Sequence, residues 1–211
     1  MIAEIIEHTR ITKDNHSLFD FNQDFSFLHR LEYDKNIANR KSFRYFDSKL
    51  ETQINKVEIQ NVFELLTQLT EKLFKVPQAI ELCIVDNKGI IDSCNGQKIY
   101  VYNSEEFLEI ETVDVLNRDN LFIQEEMHDC DGVIFFLWSL DVLSKDYLES
   151  GRFYREIIMM SGLLGQIISE YAEAVFWKGT MFAGVMEADW RAIVTEEYSR
   201  KKPIFAYGFQ K

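Results

Sequence analysis

The sequence predicts a folded α/β or α+β domain in which a mixed sheet is packed by helices, one of them long and central. Three observations carry that expectation. Apolar residues recur at helical spacing between Val57 and Leu73, short apolar runs stand at 79–86 and 131–140, and a second helical period extends from about Asp146 to about Phe176. Strands separated by helices are the pattern of layered sheet-and-helix folds.

Taken in order, residues 1–38 contain "NHSLFDFNQDFSFLHRLEY", rich in aromatic and polar residues with weak periodicity. They predict an arm that packs on the core or on a partner subunit, with the folded domain over 39–211. Ile59, Val62, Phe63, Leu66, Leu69 and Leu73 then form one helical stripe. "AIELCIVD" (79–86) is an apolar run closed by Asp-Asn-Lys-Gly, a strand and its turn. "KIYVYN" (98–103) alternates and predicts a strand, followed by the polar stretch "SEEFLEIE". "NRDNLFIQEEM" (117–127) predicts a short helix, and "DGVIFFLWSL" (131–140) is too apolar for a sheet edge and predicts a buried central strand.

The long helical element carries the stripe Tyr154, Ile157, Ile158, Leu164, Ile168, Tyr171 and Val175. Gly162 and Gly165 within it would let another backbone approach, at about 1 kcal/mol each relative to Ala. "TMFAGVM" (180–186) is a strand or a loop. "EADWRAIVTEEY" is a helix opening on acidic residues, which suit a helix N-terminus, and "KPIFAYGF" is a final strand.

Composition narrows the function. With 46% hydrophobic residues, 17 of them Phe, the chain can bury a substantial core. A net charge of −12 argues against broad nucleic-acid binding and against docking on anionic membranes, both of which need a basic surface. No apolar stretch approaches the roughly 18–20 residues that span a bilayer. The opening "MIAEIIEHTR" lacks a basic flank followed by a long apolar run, so no signal peptide is expected and a cytoplasmic location is the default. Cys83, Cys94 and Cys130 are odd in number and widely spaced, giving neither a disulfide framework nor a metal pair. The four histidines have no metal-ligand spacing, and short catalytic signatures are absent.

Against this acidic background "NRKSFRYFDS" (39–48) gathers Arg40, Lys41, Ser42 and Arg44. The stretch is either a solvated turn before a helix or a seat for a phosphate. A phosphomonoester is held by guanidinium groups and a hydroxyl donor at fixed geometry.

"RKSFRYF" resembles the Arg-Arg-Ser-x-Arg-x-Phe opening of the nitroreductase superfamily of flavoproteins, where the first Arg and the Ser seat the phosphate of FMN. The distal half, "GRFYREIIMMSGLLGQIISEYAEAVFWKGTMFAGVMEADWRAIV" and then "KPIFAYGF", is similar to that family's C-terminal half. Arg152, Arg155, Gly162, Gln166, Ala172, Gly179, Gly184 and Gly208 fall in the matching order. "EHTRITKDN", "KIYVYNSEEFLEI" and "DGVIFFLWSLDVLSKDYLESGRFYR" further resemble the SagB-type dehydrogenases, which oxidise thiazolines and oxazolines in ribosomally made peptides.

The resemblance implies an α+β nitroreductase-like fold with a mostly antiparallel sheet, a homodimer with FMN at its interface, and a peptide substrate, with a cyclodehydratase complex as a possible partner. It implies cofactor contacts from Arg40, Lys41, Ser42, Arg44, Arg152, Gln166 and Gly184, and a base at Lys145 or Tyr147 that takes a proton while hydride leaves for the flavin. The sequence departs from the branch twice. The Pro-Ser-Gly-Gly-x-x-Tyr-Pro loop that lies against the flavin ring is cut to Pro77-Gln78-Ala79, and Asp146 separates Lys145 from Tyr147.

Simpler readings stand beside these. Lys145 and Tyr147 could be a surface pair at a helix start, and Arg152 and Arg155 could be helix-surface cations paired with Glu149 or Glu156. Lys201 and Lys202 could neutralise phosphate or lie in a solvated loop. Three activities follow: an FMN-dependent azoline dehydrogenase, a flavin-free subunit with a scaffold or docking role, and a general nitro or quinone reductase.

Overall fold

Asn55 starts the first helix, α1 (Lys56–Leu73), with a reciprocal cap. Its side chain accepts the Glu58 N–H, and the Glu58 carboxylate accepts the Asn55 N–H. The computed structural model describes residues 42–94, 96–112, 121–149, 152–182 and 184–211. The predicted arm over 1–38, with Arg40 and Lys41, lies outside the described residues. All six residues of the predicted α1 stripe are buried. One 3-10 turn, Pro77–Ala79, then leads into β1 (Ile80–Asp86).

The other strands are β2 (Lys98–Tyr102), β3 (Phe107–Glu109), β4 (Gly132–Trp138), β5 (Lys178–Phe182) and β6 (Lys202–Gln210). They form one six-stranded sheet in the order β3-β2-β1-β4-β6-β5. The residue pattern suggested a mixed sheet and the resemblance a mostly antiparallel one; every ladder between described strands is antiparallel. The reason is topological. β4 and β5 do run in the same direction, but β6 lies between them and faces both in the opposite sense, so no parallel ladder forms. The polar stretch after β2 supplies β3, turned back by Asn103, whose side chain accepts the Glu105 and Glu106 N–H groups.

β4 is buried along all seven residues, as its apolar run predicted. Its side chains alternate between two layers. Ile134, Phe136 and Trp138 join the core under the helices, while Val133, Phe135 and Leu137 join a second core with Met127 and Trp190. Between β4 and β6 the register shifts, with Phe135 opposite Ala206 and Phe136 opposite Ile204. Phe205 is the extra residue, at φ 53. A left-handed backbone costs a bulky residue about 1–2 kcal/mol, and packing of Phe205 on the helical core offsets it.

The predicted long helix is divided into α2 (Lys145–Glu149) and α3 (Phe153–Ala174), with residues 150–151 outside the description. The close approach expected at the glycines occurs at one of them. A Cβ on Gly165 would meet Met181 Cε at 2.2 Å, whereas nothing lies within 4 Å of one on Gly162. "EADWRAIVTEEY" makes two short helices, α4 (Glu187–Ile193) and α5 (Glu196–Ser199). Val194 turns extended between them and bridges to Thr112. Of the helix expected over 117–127, the described part contains a 3-10 turn at Glu125–His128. Among the described residues, no helix is long and apolar enough to cross a membrane.

Candidate functional site

Two rows of paired residues mark the ends of the sheet. Asp86, Gly132, Phe209 and Gly179 stand opposite one another at one end, and Ile80, Trp138 and Lys202 at the other. Most of the described residues singled out from sequence divide between these ends.

At the Asp86 end, the stretch after Lys41 is tied to the sheet by its own backbone and aromatic rings. The Phe43 N–H donates to Gly179 O at 3.1 Å. Phe43 and Phe46 pack edge to face, and Phe46 reaches the second core. The Asp47 N–H donates to Gln210 Oε1 at 3.0 Å, and Gln210 Nε2 donates to Asp47 O at 2.8 Å. Lys88 Nζ donates to Leu50 O at 3.1 Å. With the rings turned inward, Ser42 and Arg44 are left exposed. Lys178, the first residue of β5, holds its Nζ 5.2 Å from the Phe43 ring centroid. Neither Arg44 nor Lys178 makes an ion pair with a described carboxylate.

The Ile80 end is built differently. Lys145 is exposed and paired with Glu149 at 3.5 Å, one helical turn on. Tyr147 is 4% exposed and donates its hydroxyl to Glu156 Oε2 at 2.9 Å; Glu156 itself is 3% exposed. Burial, and then the Glu156 charge and hydrogen bond, hold the Tyr147 phenol well above its usual range. In this arrangement Tyr147 is a hydrogen-bond donor, opposite in tendency to the lowered pKa that a base near neutral pH requires. Arg152 stands exposed at the start of α3, where its carbonyl accepts the Glu156 N–H.

Two lysines of the last strand region are committed here. Lys201 Nζ donates to both Glu81 oxygens, at 2.7 and 2.9 Å, and lies 4.3 Å from the Tyr198 ring centroid. Lys202 pairs with Glu187. Both therefore neutralise carboxylates at the end of the sheet away from Ser42. A cavity of about 290 Å³ opens beside Pro77 and Gln78, lined also by Thr67, Glu71, Glu81 and Ser104.

Two predicted residues belong to neither end. Gln166, half-buried in α3, donates to Glu170 Oε1 at 2.8 Å. Gly184 follows β5, where its carbonyl accepts the Ile123 N–H at 3.2 Å and a Cβ would meet Ile123 Cδ1 at 2.8 Å. The sequence thus grouped residues that one chain does not bring together. It also passed over Lys178, and it read Glu156 as a surface partner of an arginine rather than as a buried group. A carboxylate beside Ile157 on the apolar stripe was the available signal for Glu156, and a cation opening a glycine-containing strand was the signal for Lys178.

The donor set at the Asp86 end (a hydroxyl, a guanidinium and an ammonium without a described carboxylate) fits the phosphate of FMN. The ring end fits less well, because Pro77–Ala79 is one tight turn without glycine.

No protein-family model matches the sequence, and no curated protein matches it. Solved structures do. A protein designated a nitroreductase from Anabaena variabilis superposes with TM-score 0.65 at 17% identity, over 99% of this chain and 46% of that one. The chain therefore spans less than half the length of that protein. A chain of the E. coli microcin synthetase McbBCD complex, with truncated pro-MccB17 bound, gives TM-score 0.56 at 11% identity, over 99% and 86% of the two chains. A protein from Exiguobacterium sibiricum designated a nitroreductase and solved in complex with FMN gives 0.51 at 12% identity, over 84% and 86%. These likenesses establish a nitroreductase-like fold.

Proposed function

We propose that this chain is an FMN-dependent oxidoreductase of the SagB type, oxidising azoline rings to azoles in a ribosomally made peptide. The observation that carries the reading is the anchored stretch Phe43–Asp47. It packs the Phe43 and Phe46 rings on each other, with Phe46 reaching the second core, and leaves Ser42, Arg44 and Tyr45 outward, with Lys178 against the Phe43 ring and no described carboxylate to quench either cation. Arg40 and Lys41 precede it in sequence as further phosphate ligands. The E. coli complex with its bound pro-peptide supports a peptide as substrate and a multi-protein setting, in which a cyclodehydratase would supply the azoline.

When bound, FMN would supply a two-electron acceptor for the hydride. The chain's own residues bind and orient. Ser42 and Arg44 hold the phosphate, and Gln166 and Gly184 are assigned to the remaining contacts along α3 and after β5. The turn at Pro77–Ala79 lies at the opposite end, roughly 20 Å away along the strands and three strands across. A flavin seated at Ser42 does not span that distance. This separation supports a homodimer in which one chain seats the phosphate and the other chain's Ile80 end, with Arg152, Lys145 and Tyr147, approaches the ring. There Lys145, released from Glu149 and deprotonated, is assigned as the proton acceptor, while Tyr147 keeps its hydroxyl on Glu156.

A second reading is favoured by one observation, the reduction of the ring loop to a single turn: a flavin-free subunit that docks or scaffolds a peptide-modifying complex. The general nitro or quinone reductase has no feature of its own in its favour. The visible spectrum of freshly purified protein separates the readings. A yellow protein that bleaches with reductant is expected. A colourless protein that gains no flavin on incubation with FMN would exclude both oxidoreductase readings and leave the docking subunit.

A further inference from the structure

We propose that Lys178 is a third arm of the phosphate seat, contributing its ammonium to a phosphomonoester dianion held by Ser42 and Arg44. The inference rests on the FMN reading above for the identity of the ligand, but its geometry is independent of the flavin ring. The Phe43 N–H bond to Gly179 O fixes Ser42–Arg44 to the residue that directly follows Lys178. The Lys178 ammonium rests 5.2 Å from the Phe43 ring centroid, which holds a flexible side chain beside this segment.

Charge bookkeeping points the same way. Beyond Lys178, each lysine and arginine to the end of the chain has a described carboxylate: Arg191 and Lys202 share Glu187, Arg200 has Glu196, Lys201 has Glu81 and Lys211 has Glu58. Lys49, Lys56, Lys75 and Arg155 also make no ion pair with a described carboxylate, but Arg44 and Lys178 are the two that Phe43 brings together beside Ser42. An anion with three acceptor oxygens and a planar guanidinium, a hydroxyl and an ammonium are complementary.

The test is binding of FMN and of riboflavin, which lacks the phosphate, to the purified 211-residue chain by flavin fluorescence at low and high salt. Lys178→Gln is expected to weaken FMN about tenfold, to leave riboflavin unchanged, and to flatten the salt dependence. Lys178→Arg should restore most of the loss. If the glutamine variant keeps the wild-type preference for FMN, Lys178 has no part in the seat. If the wild type binds neither flavin, the probe becomes inorganic phosphate, read as a rise in thermal midpoint against chloride at equal ionic strength. A rise lost in Lys178→Gln would uphold the seat and reject the flavin; no rise in the wild type would reject both. The unliganded midpoints of the variants report whether the fold is intact.

Discussion

The two ends of one sheet differ in whether the cations singled out above are already paired. At the Ile80 end, Lys201 lies between the Glu81 carboxylate and the Tyr198 ring, Lys202 meets Glu187, and the Tyr147 hydroxyl is given to a buried Glu156. At the Asp86 end, Arg44 and Lys178 face outward without a described carboxylate, although the backbone under them is tied down at Phe43, Asp47 and Leu50. Polar groups at the first end contribute to the fold. At the second, Gln210 and Lys88 do so too, binding the Asp47 and Leu50 main chain, whereas Arg44 and Lys178 remain available to a ligand. An electrostatic interaction inside the protein and one kept for a ligand draw on the same side-chain types, and what distinguishes them is whether a partner has already been supplied.

The largest effect that would break this contrast belongs to Tyr147. Tyr147→Phe removes a hydrogen bond to a charged group in a nearly solvent-free site and is expected to lower stability by about 1.5–3 kcal/mol, measured by urea unfolding. A change below about 0.5 kcal/mol would mean that the Ile80 end is not structural in the sense described. Lys201→Ala comes next, at about 1–2 kcal/mol, because it strips Glu81 of its partner and Tyr198 of its cation. Glu187 gives a smaller, pH-dependent effect. Its hydrogen bond to Lys202, working against partial burial and helped by the Lys202 and Arg191 charges, lowers its pKa. A carboxyl with a depressed folded pKa adds stability that is present above its unfolded value of about 4.3 and is lost as pH falls. Glu187→Gln should therefore lower stability slightly near neutrality, with the difference from wild type closing as pH falls, so that the acid limb of a stability–pH curve is flattened. The smallest shift is expected at the other end. Arg44→Ala should change stability by no more than about 0.5 kcal/mol while reducing the preference for FMN over riboflavin, and a larger loss of stability would erase the distinction between the ends.

Period and burial made most of the fold legible. The α1 stripe and the wholly apolar β4 run each read directly as a helix face and a central strand, because one residue spacing can satisfy only one geometry. Strand direction followed only from the resemblance and not from the residue pattern, since nothing local in "KPIFAYGF" says that it will insert between β4 and β5 and make the sheet antiparallel. The break at Val194 was likewise invisible, because its cause is a bridge to distant Thr112. The candidate site was half legible. Ser42 and Arg44 stood out as cations and a hydroxyl in an acidic chain, but the distance from them to Pro77, Tyr147 and Arg152 is a property of the folded sheet. Glu156 was hidden because a glutamate on a helix is ordinary until its burial beside Tyr147 is known.

The insertion of β6 between β4 and β5 also sets a schedule for synthesis. When Trp138 has left the ribosome, β1 can pair with one edge of β4, but the other edge waits for Lys202 and the residues after it. At about 5–20 residues per second, the sixty-odd residues between them take roughly 3–13 seconds to make. Through that interval the most apolar strand of the protein has one bare side, and β5 has no strand to join. The nascent chain would therefore be most open to chaperones, and to pairing errors between neighbouring copies, just before its last strand arrives.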